Sequence, residues 1–105
     1  MKTKEPISNA KRFVQAYNTI DQSLRQRHNI RRSLSFSDMI RKTVVVDYIV
    51  RKYEDQLIDY GRLRNAIIHN SNDEFLIAEP HTEVVEEFEK IAALVSAPPK
   101  VIDTV

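Results

Sequence analysis

A single glycine, Gly61, in 105 residues is the tightest constraint on what this chain can become. Glycine supplies the positive-φ positions of tight hairpin turns and the close backbone approach of phosphate-cradling loops. A chain with one glycine is therefore expected to be built from helices, without many tight β-turns and without a glycine-rich phosphate loop. Cysteine is absent, which excludes disulfides, thiolate nucleophiles and cysteine-based zinc sites. Apolar residues make up 42% and charged residues 30%, a balance suited to one folded domain, and no apolar run approaches the ~18 residues needed to cross a bilayer. The start, Met1-Lys2-Thr3-Lys4-Glu5-Pro6, lacks the apolar core of a signal peptide, so the cytoplasm is the expected compartment.

Spacing predicts an all-α chain of four to five helices. Ser8 is positioned to cap a first helix over about 8–27, in which Phe13, Val14, Tyr17, Ile20 and Leu24 recur at helical intervals. Asn29 is placed to end it in the left-handed conformation. Ser37 is expected to cap a short second helix over 38–42, with Phe36 just outside as a hydrophobic staple. The β-branched run Thr43-Val44-Val45-Val46 reads as a helix junction. From Val46 a stripe of Val50, Tyr53, Leu57, Tyr60 and Ile67 marks one long central helix ending near Asn70, and Gly61 inside it predicts a close helix–helix approach. Residues 71–74 are expected to turn and residues 75–78 to cross in an extended form. Pro80 suits the first turn of a last helix, which buries Val84, Val85, Phe88, Ile91, Ala92 and Val95. The expected domain is 1–97. Residues 98–105, opening on Pro98-Pro99, form a tail or linker.

The formal net charge of +1 conceals two unlike halves. Residues 1–52 carry 12 Lys and Arg against 4 Asp and Glu, whereas residues 53–105 carry 4 against 11. This polarity either neutralises itself on folding or draws an anionic ligand or a second chain. Within the basic half, Arg25, Arg27, Arg31 and Arg32 cluster at the end of the first helix. They suit the negative end of its dipole, and they also form a candidate phosphate-binding patch.

The chemistry-bearing segment is Arg64-Asn65-Ala66-Ile67-Ile68-His69. At about 100° per residue, Asn65 and His69 lie within about 40° of each other on a helix, while Arg64 and His69 are about 140° apart. Counted from Val46, Arg64 lands in the centre of the apolar stripe. A guanidinium there needs either a carboxylate, with Glu54, Asp55, Asp59 or a last-helix glutamate as candidates, or a wet cleft shared with a second copy of the chain. His28 reads as a solvated loop residue and His81 as a structural residue in the first turn of the last helix. The three histidines lack the close spacing of a metal site.

The segment from Tyr60 to Asn70 resembles the signature of the HEPN superfamily (higher eukaryotes and prokaryotes nucleotide-binding domain): an arginine, four to six residues, then a histidine, with a polar residue directly after the arginine. Asn65 fills that polar position. The layout is also similar, with two earlier helices, a long helix ending in the motif, a turn and a final amphipathic helix. The chain further resembles the HEPN-like module in front of paired CBS domains in some prokaryotic proteins. The resemblance implies an all-α, four-to-five-helix, up-and-down HEPN-like bundle dimerising through the motif helix, and cofactor-free, metal-independent cleavage of RNA. A histidine titrates near neutral pH, so His69 is assigned proton transfer at the ribose 2′-hydroxyl or the leaving 5′-oxygen. Arg64 is assigned the phosphate and its transition-state charge, and Asn65 is assigned to orient the imidazole or bind substrate. A 2′,3′-cyclic phosphate would result, and DNA would be spared for want of the 2′-hydroxyl.

Toxin members of the family controlled by a nucleotidyltransferase partner often carry a tyrosine two residues after the histidine, where this chain has Ser71. The implied partners are a second copy of the chain, RNA, and either an antitoxin or a downstream CBS-type domain. The competing reading is a nonenzymatic module that dimerises a larger regulatory protein. Double-stranded DNA binding fits less well, because the long helix is apolar and acidic where a recognition helix needs base-reading polar groups.

Overall fold

The computed structural model describes residues 8–69 and 79–97. The leader, Asn70, the expected turn at 71–74 with Ser71, the expected extended passage at 75–78 and the tail at 98–105 lie outside the described residues. Among the described residues the chain is all-helical: α1 (Asn9–His28), α2 (Phe36–Thr43), α3 (Tyr48–Lys52), α4 (Glu54–His69) and α5 (Thr82–Ser96). None of these helices is long and apolar enough to cross a membrane.

The ends of α1 are those the sequence predicts. The Ser8 hydroxyl accepts a hydrogen bond from the Lys11 amide, and Asn29 adopts φ 56°, with its amide donating to the Arg25 carbonyl. At α2 the cap is Ser35 rather than Ser37; its hydroxyl accepts from the Asp38 amide at 3.1 Å. The earlier start has a packing cause. It brings Phe36 inside the helix, where it shares one buried face with Met39, Ile40 and Thr43 at the spacing i, i+3, i+4, i+7. A cap at Ser37 would leave Phe36 outside that face.

The expected long central helix is split. After α2 the chain turns through residues 44–47, and Asp47 restarts it by accepting from the Ile49 and Val50 amides at 3.0 and 3.2 Å. A second break at Tyr53 (φ −114°, ψ 24°) separates α3 from α4. Val46, expected in the buried stripe, is 69% exposed as a result. The last helix also begins later than expected. Pro80 precedes α5 and is buried, with its carbonyl accepting from Asn9 Nδ2, while His81 occupies the N-cap position rather than the first turn.

The core sits between α1 and α5, which lie side by side and run in the same direction. At one end Asn9 reaches Pro80 and Thr82, in the middle Phe13 meets Phe88, and at the other end Arg27 donates to the Val95 and Ala97 carbonyls. Phe13, Phe88 and Tyr60 form an aromatic cluster with centroid distances of 4.6, 4.9 and 5.7 Å, so the middle of α4 packs onto the α1–α5 pair. A second stack closes the other face of α4. The Phe36 ring lies 4.5 Å from that of Tyr17, and a Cβ built on Gly61 would meet the Phe36 ring at 3.0 and 3.2 Å. This is the close approach that the lone glycine predicts, made by a side chain of α2.

Among the described residues, the Arg12 fork on Glu89, at 2.6 and 3.0 Å, is the ion pair that crosses from one half of the sequence to the other. It holds the Glu89 carboxyl below its usual range. The remaining pairs are local or, for Asp47, internal to the basic half.

Among the described residues, Asp47 is the one carboxylate in the core. Burial alone would raise its pKa, but hydrogen bonds from His28, the Val50 amide and Arg27, together with the Arg27 charge, outweigh that and hold it below the usual value. A carboxyl whose folded pKa is depressed stabilises the fold above its unfolded pKa, and that contribution is lost as pH falls through the folded value. Replacing Asp47→Ala is expected to cost about 3 kcal/mol, because it leaves Arg27 without its countercharge and α3 without its cap. Urea denaturation at neutral pH measures the loss, and Asp47→Asn should flatten the acid limb of the stability profile. At Gly61, the gain of up to ~1 kcal/mol in helix propensity on Gly61→Ala is outweighed by displacement of the Phe36 ring. A net loss of ~1 kcal/mol should appear as a melting temperature lower by about 4–8 °C.

Candidate functional site

Arg64 emerges from α4 half-buried, with its guanidinium carbon 4.4 Å from the centroid of the Tyr17 ring on α1. Its Nη1 donates to Asn65 Oδ1 at 3.1 Å, and its Nε is buried with no hydrogen-bond partner. Among the described residues no carboxylate pairs with it. The expected partner Asp59 instead faces Arg62 at 3.8 Å, and Glu87 accepts from Gln56. Arg64 is therefore positioned by a ring and an amide, and its charge is left unneutralised by both.

The Tyr17 seat is itself fixed from below. Tyr17 is packed on Phe36, and Phe36 fills the space that Gly61 leaves open. Burial pushes the Tyr17 phenol up, while the neighbouring Arg64 charge pulls in the opposite direction. Gly61, Phe36 and Tyr17 thus form a continuous support that ends at the guanidinium. The sequence places Tyr17 in the core but does not link it to Arg64. The pair is 47 positions apart in the sequence, and no local pattern reports such a contact.

His69 is the last residue of α4 and is exposed, as is Asn65 one turn earlier. The structure therefore brings Arg64 and Asn65 into contact and places His69 on the same helix end, on the side of Asn65. Among the described residues no hydrogen bond joins Arg64 to His69. The three groups can act on one phosphodiester only if the substrate, or a second copy of the chain, bridges them.

The basic cluster at the end of α1 divides into two kinds. Arg25 pairs with Asp21 at 3.0 Å and donates to the Arg31 and Leu34 carbonyls at 2.7 and 2.9 Å, which ties the α1–α2 loop to α1. Arg27 pairs with Asp47 and donates to the end of α5. Arg31 and Arg32 are exposed. A polar cleft of about 480 Å³ beside them is lined in part by Asp21, Arg25, Asn29, Ile30 and Arg32. Arg25 and Arg27 thus serve the fold with most of their donors, while Arg31 and Arg32 keep theirs directed to solvent.

The other two histidines occupy different settings from those expected. His28 is not a solvated loop residue: its Nε2 lies 2.7 Å from Asp47 Oδ2, largely shielded from solvent. His81 is exposed at the N-cap of α5 and makes no side-chain capping bond. Among the described residues, no group of three or more His, Asp and Glu side chains is gathered so as to hold a metal ion.

With this geometry in view, comparison with known proteins adds no assignment: no protein-family model matches the chain, and no curated protein and no solved structure is significantly similar to it.

Proposed function

We propose that the chain is a metal-independent endoribonuclease of the HEPN type, acting as a homodimer across a cleft formed at the Arg64–His69 end of α4. The observation that carries this reading is the state of Arg64. Its guanidinium is seated on Tyr17, held at one nitrogen by Asn65, and has no carboxylate partner among the described residues. A structural arginine at a half-buried position is ordinarily paired, because a charge removed from water without compensation is costly. An arginine that is positioned but not neutralised is suited to an anion that arrives from outside, and its planar fork of donors matches a phosphate.

The reaction follows from the residue types. The 2′-hydroxyl of one nucleotide attacks the adjacent phosphorus, so the P–O2′ bond forms as the P–O5′ bond breaks. One imidazole takes the 2′-hydroxyl proton, and a second supplies a proton to the departing 5′-oxygen. Each chain brings one His69 to the site, so two copies provide both. Arg64 binds the phosphoryl oxygens and offsets the charge added in the pentacoordinate transition state. The products are a 2′,3′-cyclic phosphate and a 5′-hydroxyl, and DNA is not a substrate. In this reading, exposed Arg31 and Arg32 bind flanking phosphates, with Arg25 and Arg27 mainly supporting that surface. An antitoxin that controls the enzyme would cover the same end of α4.

The test is cleavage of single-stranded RNA in excess EDTA. The chain is expected to cut RNA and leave DNA intact, and His69→Ala should reduce the rate by roughly 100-fold or more. Because His69 is exposed, the variant should keep the parent's circular dichroism and melting temperature. Arg64→Lys, which preserves charge but loses the fork, should also lose most of the rate. Equal cleavage by wild type and His69→Ala would refute the assignment, and no cleavage by a dimeric wild-type chain would favour the nonenzymatic module.

A further inference from the structure

We propose that the turn between α2 and α3 is a docking knuckle that inserts Val45, Val46 and Tyr48 into the surface of an anionic lipid bilayer. These three side chains are 72%, 69% and 65% exposed, the highest values among the exposed large hydrophobic residues of the described chain. They stand together at one turn, whereas Ile68 and Leu94 are exposed singly on other helices.

Much of the backbone of this turn is bonded within the chain. The Val44 amide donates to the Ile40 carbonyl, and the Val46 and Asp47 amides donate to the Thr43 carbonyl. The outward carbonyls of Val44 and Val45 accept from Arg51 Nε and Nη2, each at 3.2 Å. An exposed loop can leave such groups to water at no cost. A loop entering an apolar medium cannot, since each unsatisfied group there is strongly unfavourable. Three amides and two carbonyls of the turn are thus bonded within the chain, beside apolar side chains left in water. Those bonded groups are not available to pair with a partner's strand.

Charge and area together select the occupant. The last turns of α2 and α3 carry Arg41 and Lys42, and Arg51 and Lys52, all exposed, so the apolar tip rises from a basic collar. The carboxylates between residues 38 and 52 are Asp38, 3.6 Å from Arg41, and buried Asp47, which is paired with Arg27 and His28. Two such collars would repel, which disfavours symmetric pairing of this face with a second copy. Three side chains offer far less than the roughly 800 Å² per partner of a stable protein interface. A fluid anionic surface needs no matching pocket. It accepts the apolar side chains at the headgroup boundary, where tyrosine is favoured and cations remain level with lipid phosphates.

The test is sedimentation of the full chain with vesicles of phosphatidylcholine alone or with about a third phosphatidylserine, at low and physiological salt. Binding should require phosphatidylserine, weaken with salt, and fall at least tenfold in Val45→Asp/Val46→Asp and in Lys42→Gln/Lys52→Gln. These positions are exposed, so folding should be retained, and RNA cleavage should be unchanged, which separates this proposal from the enzymatic one. The chain has no tryptophan, so Tyr48→Trp supplies a single reporter whose emission should shift to the blue and be quenched by brominated acyl chains. Failure to bind phosphatidylserine vesicles, binding undiminished by the valine changes, or emission unaffected by brominated lipid would each overturn the proposal. Capture by a soluble acidic protein without vesicle binding would assign the knuckle to a protein partner and overturn it as well.

Discussion

The buried carboxylate of Asp47 is the constraint on which the rest of the arrangement depends. It receives hydrogen bonds from the Ile49 and Val50 amides and lies within bonding distance of Arg27 and His28. A buried ion is tolerated only when its lone pairs are occupied and its charge is balanced, and both conditions are met here. The donors come from the end of α1 and the start of α3, while Arg27 also reaches the end of α5. One acidic side chain therefore sets the relative position of three helix ends. A valine or leucine at this position could fill space but could not specify which helix ends meet.

That tie also determines why the central helix is broken. The apolar period alone continues from Val46 to Ile67 and favours one uninterrupted helix. Asp47 instead caps a new helix and turns toward α1, which carries the valines of the preceding turn away from the core. The break frees α4 to take its own alignment, with Tyr60 against Phe13 and Phe88 and Arg64 over Tyr17. The candidate site is thus a consequence of a capping event 17 residues earlier in the chain.

What could be read from the sequence follows the range of the interaction. The ends of α1 at Ser8 and Asn29, the buried face of α5 and the close approach at Gly61 rest on contacts within a few residues, or on a residue type with one conspicuous use. The same local rules fail where two residues compete for one role. Ser35 and Ser37 are equally good caps in isolation, and the choice is made by burial of Phe36 against Tyr17 and Gly61. The end position of His69 and its alignment with Asn65 were legible because they depend only on helical geometry. The environment of Arg64 was not, because its seat is a ring on another helix and the carboxylates within reach by spacing point elsewhere. Similarly, His28 and Arg27 gave no sign of their shared partner, since Asp47 is separated from them by the whole of α2.

Two surfaces of the molecule invert the usual pairing of burial with chemistry, and they do so in opposite senses. At Arg64 a charged group is partly withdrawn from water with its position fixed but its hydrogen bonding incomplete. Contact with an aromatic face contributes of order 1 kcal/mol and leaves the cation's field largely intact, whereas a carboxylate would cancel it. Such a site gains most from an anion. At the α2–α3 turn the Val44 and Val45 carbonyls are bonded internally and the apolar side chains are left in water. Such a surface gains most from an apolar medium. Folding stability alone rewards neither arrangement: a carboxylate opposite Arg64 and polar residues at 45, 46 and 48 would leave the core unchanged. The physical case for function at both places rests on this separation, because each departs from local satisfaction while the Asp47 tie and the aromatic cluster hold the helices that carry them.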